Sequence, residues 1–93
     1  MRKGEQAVVV CTSEKGVFFG YTKDPDAEQI KLRAARNAYY FKTTTGILEL
    51  GETGPRAGSK IGARADISSL RNITAVISCT KEAVETWEKA KWG

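Results

Sequence analysis

The chain has 93 residues, 41% of them hydrophobic and 28% charged, a balance that fits one small globular domain and excludes a linker-like or low-complexity chain. Its 25 large apolar side chains make a core thin enough that self-association is expected, and its net charge of +4 favours anionic partners. Histidine is absent, which excludes a His-based triad or a His-ligated zinc site; neither a metal nor a cofactor is expected.

Residues 6–11 (Gln6, Ala7, Val8, Val9, Val10, Cys11) and 17–22 (Val17, Phe18, Phe19, Gly20, Tyr21, Thr22) are β-branched and aromatic runs that predict two strands. Ser13, Glu14, Lys15 and Gly16 between them predict a hairpin loop with Gly16 in the left-handed conformation. A surface loop with Asp24, Pro25 and Asp26 follows. Residues 30–34 and 38–43 alternate apolar and polar side chains, with a bulge expected around Ala35, Arg36 and Asn37; a register change there would re-aim Arg36. Thr45 and Gly46 turn the chain into Ile47, Leu48, Glu49 and Leu50, so residues 38–50 read as a second hairpin.

Residues 51–60 are glycine-rich and polar and form the longest predicted loop. They lack the Gly-Lys-Ser/Thr order of a nucleotide-hydrolysing phosphate loop, although main-chain amides flanked by Arg56 and Lys60 could cradle a phosphate. Residues 66–70 predict a short turn or strand, and residues 73–79 the last strand. Thr80 is the expected N-cap of a helix over 81–91, with Glu82 and Glu85 near its positive end and Lys89 and Lys91 near its negative end. Ala83, Val84, Trp87 and Ala90 share one face of that helix, so Trp87 is expected to cover the sheet or a subunit partner rather than stack on a ligand. The pattern predicts a mainly β fold, a small β-sandwich or partly open barrel of about six or seven strands with one C-terminal α-helix. Residues 1–93 read as a single domain, strands and basic loop over 6–79 and the helix behind them.

The charge is unevenly placed. Residues 29–71 hold eight bases against three acids, while the remainder holds seven against eight. Within residues 29–48 four bases and no acid are interleaved with Asn37, Tyr39 and Tyr40. Solubilising charges on a half-exposed strand would give the same pattern. The alternative is anion binding, with Arg33 and Arg36 as the leading pair and Lys31, Asn37, Arg56 and Lys60 in support. One of Tyr39 and Tyr40 would offer a stacking face, because neighbours on a strand point opposite ways. Cys11 and Cys79 follow no metal or redox spacing and read as buried free thiols, a disulfide between neighbouring strands being the alternative. With no signal peptide or spanning apolar run, a cytoplasmic location is expected.

Two resemblances can be set on these residues. Val8 to Val10, Gly16 to Thr22, Ile30 to Arg33, Ala38 to Tyr39 and Gly46 to Glu49 resemble the first half of the tryptophan-activated RNA-binding attenuation protein, a small β-sandwich that assembles into rings. That resemblance implies an RNA contact by the Lys31-x-Arg33 pair; the family's amino-acid-binding loops have no counterpart, so no tryptophan pocket is implied. The whole chain resembles a group of small, uncharacterised phage-encoded β-rich proteins through Ala35-Arg36-Asn37-Ala38-Tyr39-Tyr40, Gly54-Pro55, Ile73-Thr74-Ala75-Val76 and Cys79-Thr80. That likeness implies counter-defence, nucleotide sequestration, regulation of a host factor or virion structure, in the host cell cytoplasm.

Three functions remain open to the residues. The first is a non-enzymatic homo-oligomer that captures a phosphate-bearing ligand, either a nucleotide signal or single-stranded RNA. The second is a structural or protein-interaction module, a virion component or host-factor inhibitor, with no membrane partner. Catalysis has the least support, because Glu49, Glu52 and Asp66 show no paired spacing.

Overall fold

The computed structural model describes residues 3–13, 16–40, 47–56 and 59–90, with only the main chain of Tyr39 and Tyr40. Its elements in chain order are β1 (Gln6–Thr12), β2 (Val17–Thr22), β3 (Ile30–Tyr40), α1 (Glu49–Glu52), β4 (Lys60–Ile61), β5 (Ala65–Leu70), β6 (Ile73–Ser78) and α2 (Lys81–Lys89). All strand pairings are antiparallel. The sheet runs β6-β1-β2-β3, and the far edge of β3 is divided between β5 on its first half and β4 at its end. The fold is therefore mainly β, an open six-stranded sheet with a C-terminal helix.

β5 and β6 stand at opposite edges of this sheet, yet only Arg71 and Asn72 separate them. The edges of a flat five-strand sheet lie roughly 19 Å apart, whereas three peptide steps reach about 11 Å. The sheet must curl towards a partly open barrel. Asn72 makes the connecting turn at φ 57, a left-handed conformation that asparagine tolerates better than most residues. The inside of the curl holds Val8, Val10, Ile30, Leu32 and Ala35, packed by Ile67, Leu70 and Ile73.

The outer face carries Val9, Cys11, Val17, Phe19, Tyr21 and Ala38, and the helices cover it with Leu50, Ala83 and Trp87. The Thr80 side chain accepts from the Ala83 amide at 3.1 Å and so caps α2 as its sequence predicts. Trp87 has no exposed surface; its ring stacks on Phe19 at 5.3 Å, and its Nε1 donates to the Leu50 carbonyl at 3.0 Å. The predicted cover over the sheet is thus observed.

Three local expectations change. Gly16 does not have a positive φ; a Cβ there would meet the Phe18 ring and Thr12 Oγ1 at 2.7 Å each, so a larger residue would require those side chains to shift. The strand expected over Ile47 to Leu50 is a turn leading into α1, since the Leu50 and Gly51 amides bond back to Ile47 and Leu48. The space for that helical turn against β6 depends on Gly51, where a Cβ would meet the Ser78 carbonyl at 2.7 Å. Residues 41–46, which complete the predicted second hairpin, lie outside the described residues. The strand alternative holds for residues 65–70, whereas α2 ends at Lys89 rather than at residue 91, since Ala90 turns extended. Both cysteines are free, Cys11 buried and Cys79 half-buried. The register sets Cys11 against Ala75, while the Cys79 amide bonds to Ala7, four residues away along β1, which excludes the alternative disulfide. No helix among the described residues is long and apolar enough to cross a membrane.

Because Trp87 joins both helices to the sheet, Trp87→Ala is expected to cost about 3–5 kcal/mol in urea denaturation; an unchanged midpoint would contradict this packing.

Candidate functional site

An irregularity in β3 sorts the candidate cations. Plain alternation from Ile30 and Leu32 would send Arg36 into the curl. Instead Tyr21 pairs with Arg33 and Phe19 with Arg36, so β3 holds one extra residue between those pairs. Ala34 sits there at φ 52, and its amide donates to Asp66 Oδ1 at 2.9 Å. An alanine in this region costs about 1–2 kcal/mol, a strain that Asp66 and the flanking strands hold in place. The shift puts Ala35 inside the curl and turns Arg36 and Ala38 to the helix-covered face. The predicted register change is real, but it lies at Ala34, just before residues 35–37.

Its consequence is that Arg36 becomes internal. Arg36 is 1% exposed, donating from Nε to the Gly62 carbonyl at 2.8 Å and from Nη1 to the Trp87 carbonyl at 2.6 Å. Arg64 Nη2 donates to the next carbonyl, Glu88, at 2.6 Å, so two arginines cap the negative end of α2. Burial and the nearby Arg64 cation pull the Arg36 pKa below its usual value, opposed by Glu88. The guanidinium nevertheless stays charged. This side chain holds the helix rather than facing a ligand.

Lys31 and Arg33 do meet at a cleft. It is an open space of about 560 Å³ where β2, β3 and β5 come together, rimmed by Glu5, Lys23, Asp24, Lys31, Arg33 and Asp66. Ala27, Leu32 and Ile67 supply its apolar lining, with Gln29 and Ser68 as polar neighbours. Glu5 grips Arg33 from the side: Arg33 Nε lies 2.9 Å from Oε2, and Nη2 lies 2.9 Å from Oε1. The carboxylate side chain is 5% exposed and the arginine 27%. The guanidinium also lies over the Tyr21 ring, 4.9 Å from its centroid. The Glu5 hydrogen bond is the main cause of the raised Arg33 pKa. Burial, reinforced by Glu88, pushes the Tyr21 hydroxyl up to about 12. Lys23 and Lys31 are exposed and make no ion pair among the described residues.

The other candidates are scattered. Asn37 is exposed, and its carbonyl accepts from Gly62. Tyr40 pairs with Lys60, an exposed residue at the far end of β3 from Lys31. The side chains of Tyr39 and Tyr40 lie outside the described residues. Arg56 lies beside α1 and pairs with the buried Glu49 at 3.1 Å. Sequence reasoning missed Glu5, Tyr21, Lys23 and Asp66. Glu5 meets Arg33 across 28 residues and Asp66 meets Ala34 across 32, so only the strand register unites them.

A family model described as a domain of unknown function (DUF6948) matches residues 5–87. No curated protein and no solved structure matches the chain.

Replacing Arg36 by methionine removes its bond to the Gly62 carbonyl and leaves the Trp87 carbonyl only the Ala90 amide, at 3.4 Å. Arg36→Met is therefore expected to lose about 2–4 kcal/mol in urea denaturation; retained stability would contradict the clamp. Alkaline titration probes the buried hydroxyl. Burial keeps Tyr21 and Cys79 neutral in the fold, each raised to about 12 from ordinary values of 10.0 and 9.0. Their contribution is complete below those ordinary values and is lost as pH rises towards about 12. The urea midpoint should therefore fall above about pH 9–10, and Tyr21→Phe should flatten the fall; an identical slope would contradict the assignment.

Proposed function

The chain belongs to the family of domains of unknown function DUF6948, and on that premise we propose that it is a non-enzymatic binding module that captures a small phosphate-bearing ligand in the cleft between β2, β3 and β5. The observation that carries this reading is the division of labour among the cleft's cations. Arg33 is already neutralised by Glu5, whereas Lys23 and Lys31 stand at the rim without a carboxylate partner among the described residues, above apolar Ala27, Leu32 and Ile67. Bringing an anion between two such ammonium groups replaces water by charge-assisted hydrogen bonds. The volume of about 560 Å³ suits a small ligand.

Of the three carboxylates at the rim, exposed Asp24 alone makes no side-chain hydrogen bond or ion pair among the described residues; Glu5 holds Arg33, and Asp66 holds the Ala34 amide. That supports capture without turnover. Sequestering a nucleotide signal, the counter-defence role implied by the likeness to small phage-encoded proteins, requires nothing more. Assembly as a homo-oligomer would close the open side of the cleft. Recognition of single-stranded RNA ranks second, since it calls for cations along one continuous face. Here Lys31 and Lys60 stand near opposite ends of β3, and Arg36 is internal.

Isothermal titration calorimetry with inorganic tripolyphosphate and nucleoside triphosphates tests this directly. One ligand per chain is expected at moderate salt, with Lys31→Ala weakening it about tenfold or more, the scale of one lost charge-assisted hydrogen bond. The melting temperature should be unchanged, because Lys31 is exposed and unpaired among the described residues. Absence of heat with every one of these ligands would contradict the proposal.

A further inference from the structure

Arg33 is the one cation of the cleft whose geometry suits something other than phosphate. A phosphate is best held by the side-on fork of Nε and Nη2, and both of these already donate to Glu5 at 2.9–3.1 Å. The carboxylate that holds them is nearly buried, so it is a fixture of the fold rather than a passing surface partner. One face of the guanidinium is also taken, because it lies on the Tyr21 ring.

Tyr21 is itself the end of an aromatic column. Its ring meets Phe19 edge-on at 5.4 Å, and Phe19 stacks on Trp87 at 5.3 Å with only 8° between the planes. Trp87 and Phe19 are buried, Tyr21 is buried but touches the cleft wall, and partly exposed Arg33 is the outermost layer, lying over the Tyr21 ring. Glu5 fixes its edge and Tyr21 fixes its inner face. What remains available to a ligand, besides the Nη1 end, is the outer face of a flat, delocalised cation held in one orientation by Glu5. A rigid guanidinium plane is a stacking surface for an aromatic ring.

We infer that Arg33 seats a planar heteroaromatic ring by stacking, and that the phosphate-bearing ligand of the cleft is therefore a nucleotide, its base on Arg33 and its phosphates on Lys31 and Lys23. The inference rests on the cleft being the phosphate site proposed above. Lys31 leaves the same side of β3 two residues before Arg33, roughly 7 Å away along the strand, so base and phosphate seats are separated by the reach of a sugar. Sugar phosphates and bare polyphosphates would use only the lysines. The specificity comes from a residue whose Nε and Nη2 are held by Glu5, which fixes its plane.

Calorimetry with the four ribonucleoside triphosphates and with inorganic tripolyphosphate, at matched ionic strength, separates the two levels of the argument. The expected result is that nucleotides, purines foremost, bind at least tenfold more tightly than tripolyphosphate. Arg33→Lys, which keeps the charge but removes the plane, should bring them down to the tripolyphosphate level and leave tripolyphosphate unchanged. Equal affinities for tripolyphosphate and nucleotides in the unaltered protein would overturn the ring seat while leaving the phosphate site standing. Binding of neither would overturn the site and the inference together. Should Arg33→Lys fail to fold, nuclear magnetic resonance of the unaltered protein decides: a nucleotide should move the Arg33 Nε–H and Hδ signals upfield by ring current and tripolyphosphate should not, and no such difference would overturn the inference.

Discussion

The buried guanidinium of Arg36 is the interaction on which the arrangement of this small protein turns. A cation that is 1% exposed needs its donors filled, and here the Gly62 and Trp87 carbonyls fill two of them. In doing so it links β3 to the segment after β4 and to the last turn of α2. That turn carries Trp87, whose ring stacks on Phe19 of β2 and whose Nε1 reaches α1. One charged side chain therefore ties the helical cover to the middle of the sheet. With so few large apolar residues available, a charged clamp at a helix C-terminus adds hold that area burial alone would not give.

The same register shift that buries Arg36 shapes the cleft. Ala34 takes up the extra residue of β3, and Asp66 of β5 accepts its amide, so β5 is drawn against the first half of β3 where Lys31 and Arg33 emerge. Glu5, immediately before β1, then closes on Arg33 from the other side. Cations paired within the protein and cations left exposed at the rim are thus separated by geometry. Arg33, Arg36, Arg56 and Arg64 are spent on the protein's own carboxylates and carbonyls, while exposed Lys23 and Lys31 are left at the rim. Arginine's rigid fork suits the internal tasks, and the solvated ammonium of lysine suits the exposed rim.

Much of the fold was legible in the sequence because it is written in local patterns. The β-branched runs of β1 and β2, the strand at 73–78, the Thr80 cap and the helical spacing of Ala83 and Trp87 all appear where those patterns place them. Ile47 to Leu50 misled, since a short apolar run has no period of its own, and its helical turn is set by tertiary contact at Gly51. The site was legible only in part. Lys31 and Arg33 lie where a basic strand predicts; the bulge that re-aims Arg36 is expected at residues 35–37, but its place at Ala34 is set by the pairing with β2 and β5 rather than by alternation. Glu5, Tyr21, Lys23 and Asp66 reach the cleft through long-range pairing, which periodicity does not encode.

The central claim is that the ligand seat lies between β2, β3 and β5 and not along a basic strand surface. Amide chemical-shift mapping of the isotope-labelled protein during titration with a nucleoside triphosphate tests it most directly. The account predicts perturbations concentrated at residues 21–24, 31–33 and 66–68, with those around Arg56, Lys60 and the far end of β3 unmoved. Shifts centred on Asn37, Arg56 and Lys60, or no shifts at all, would contradict it.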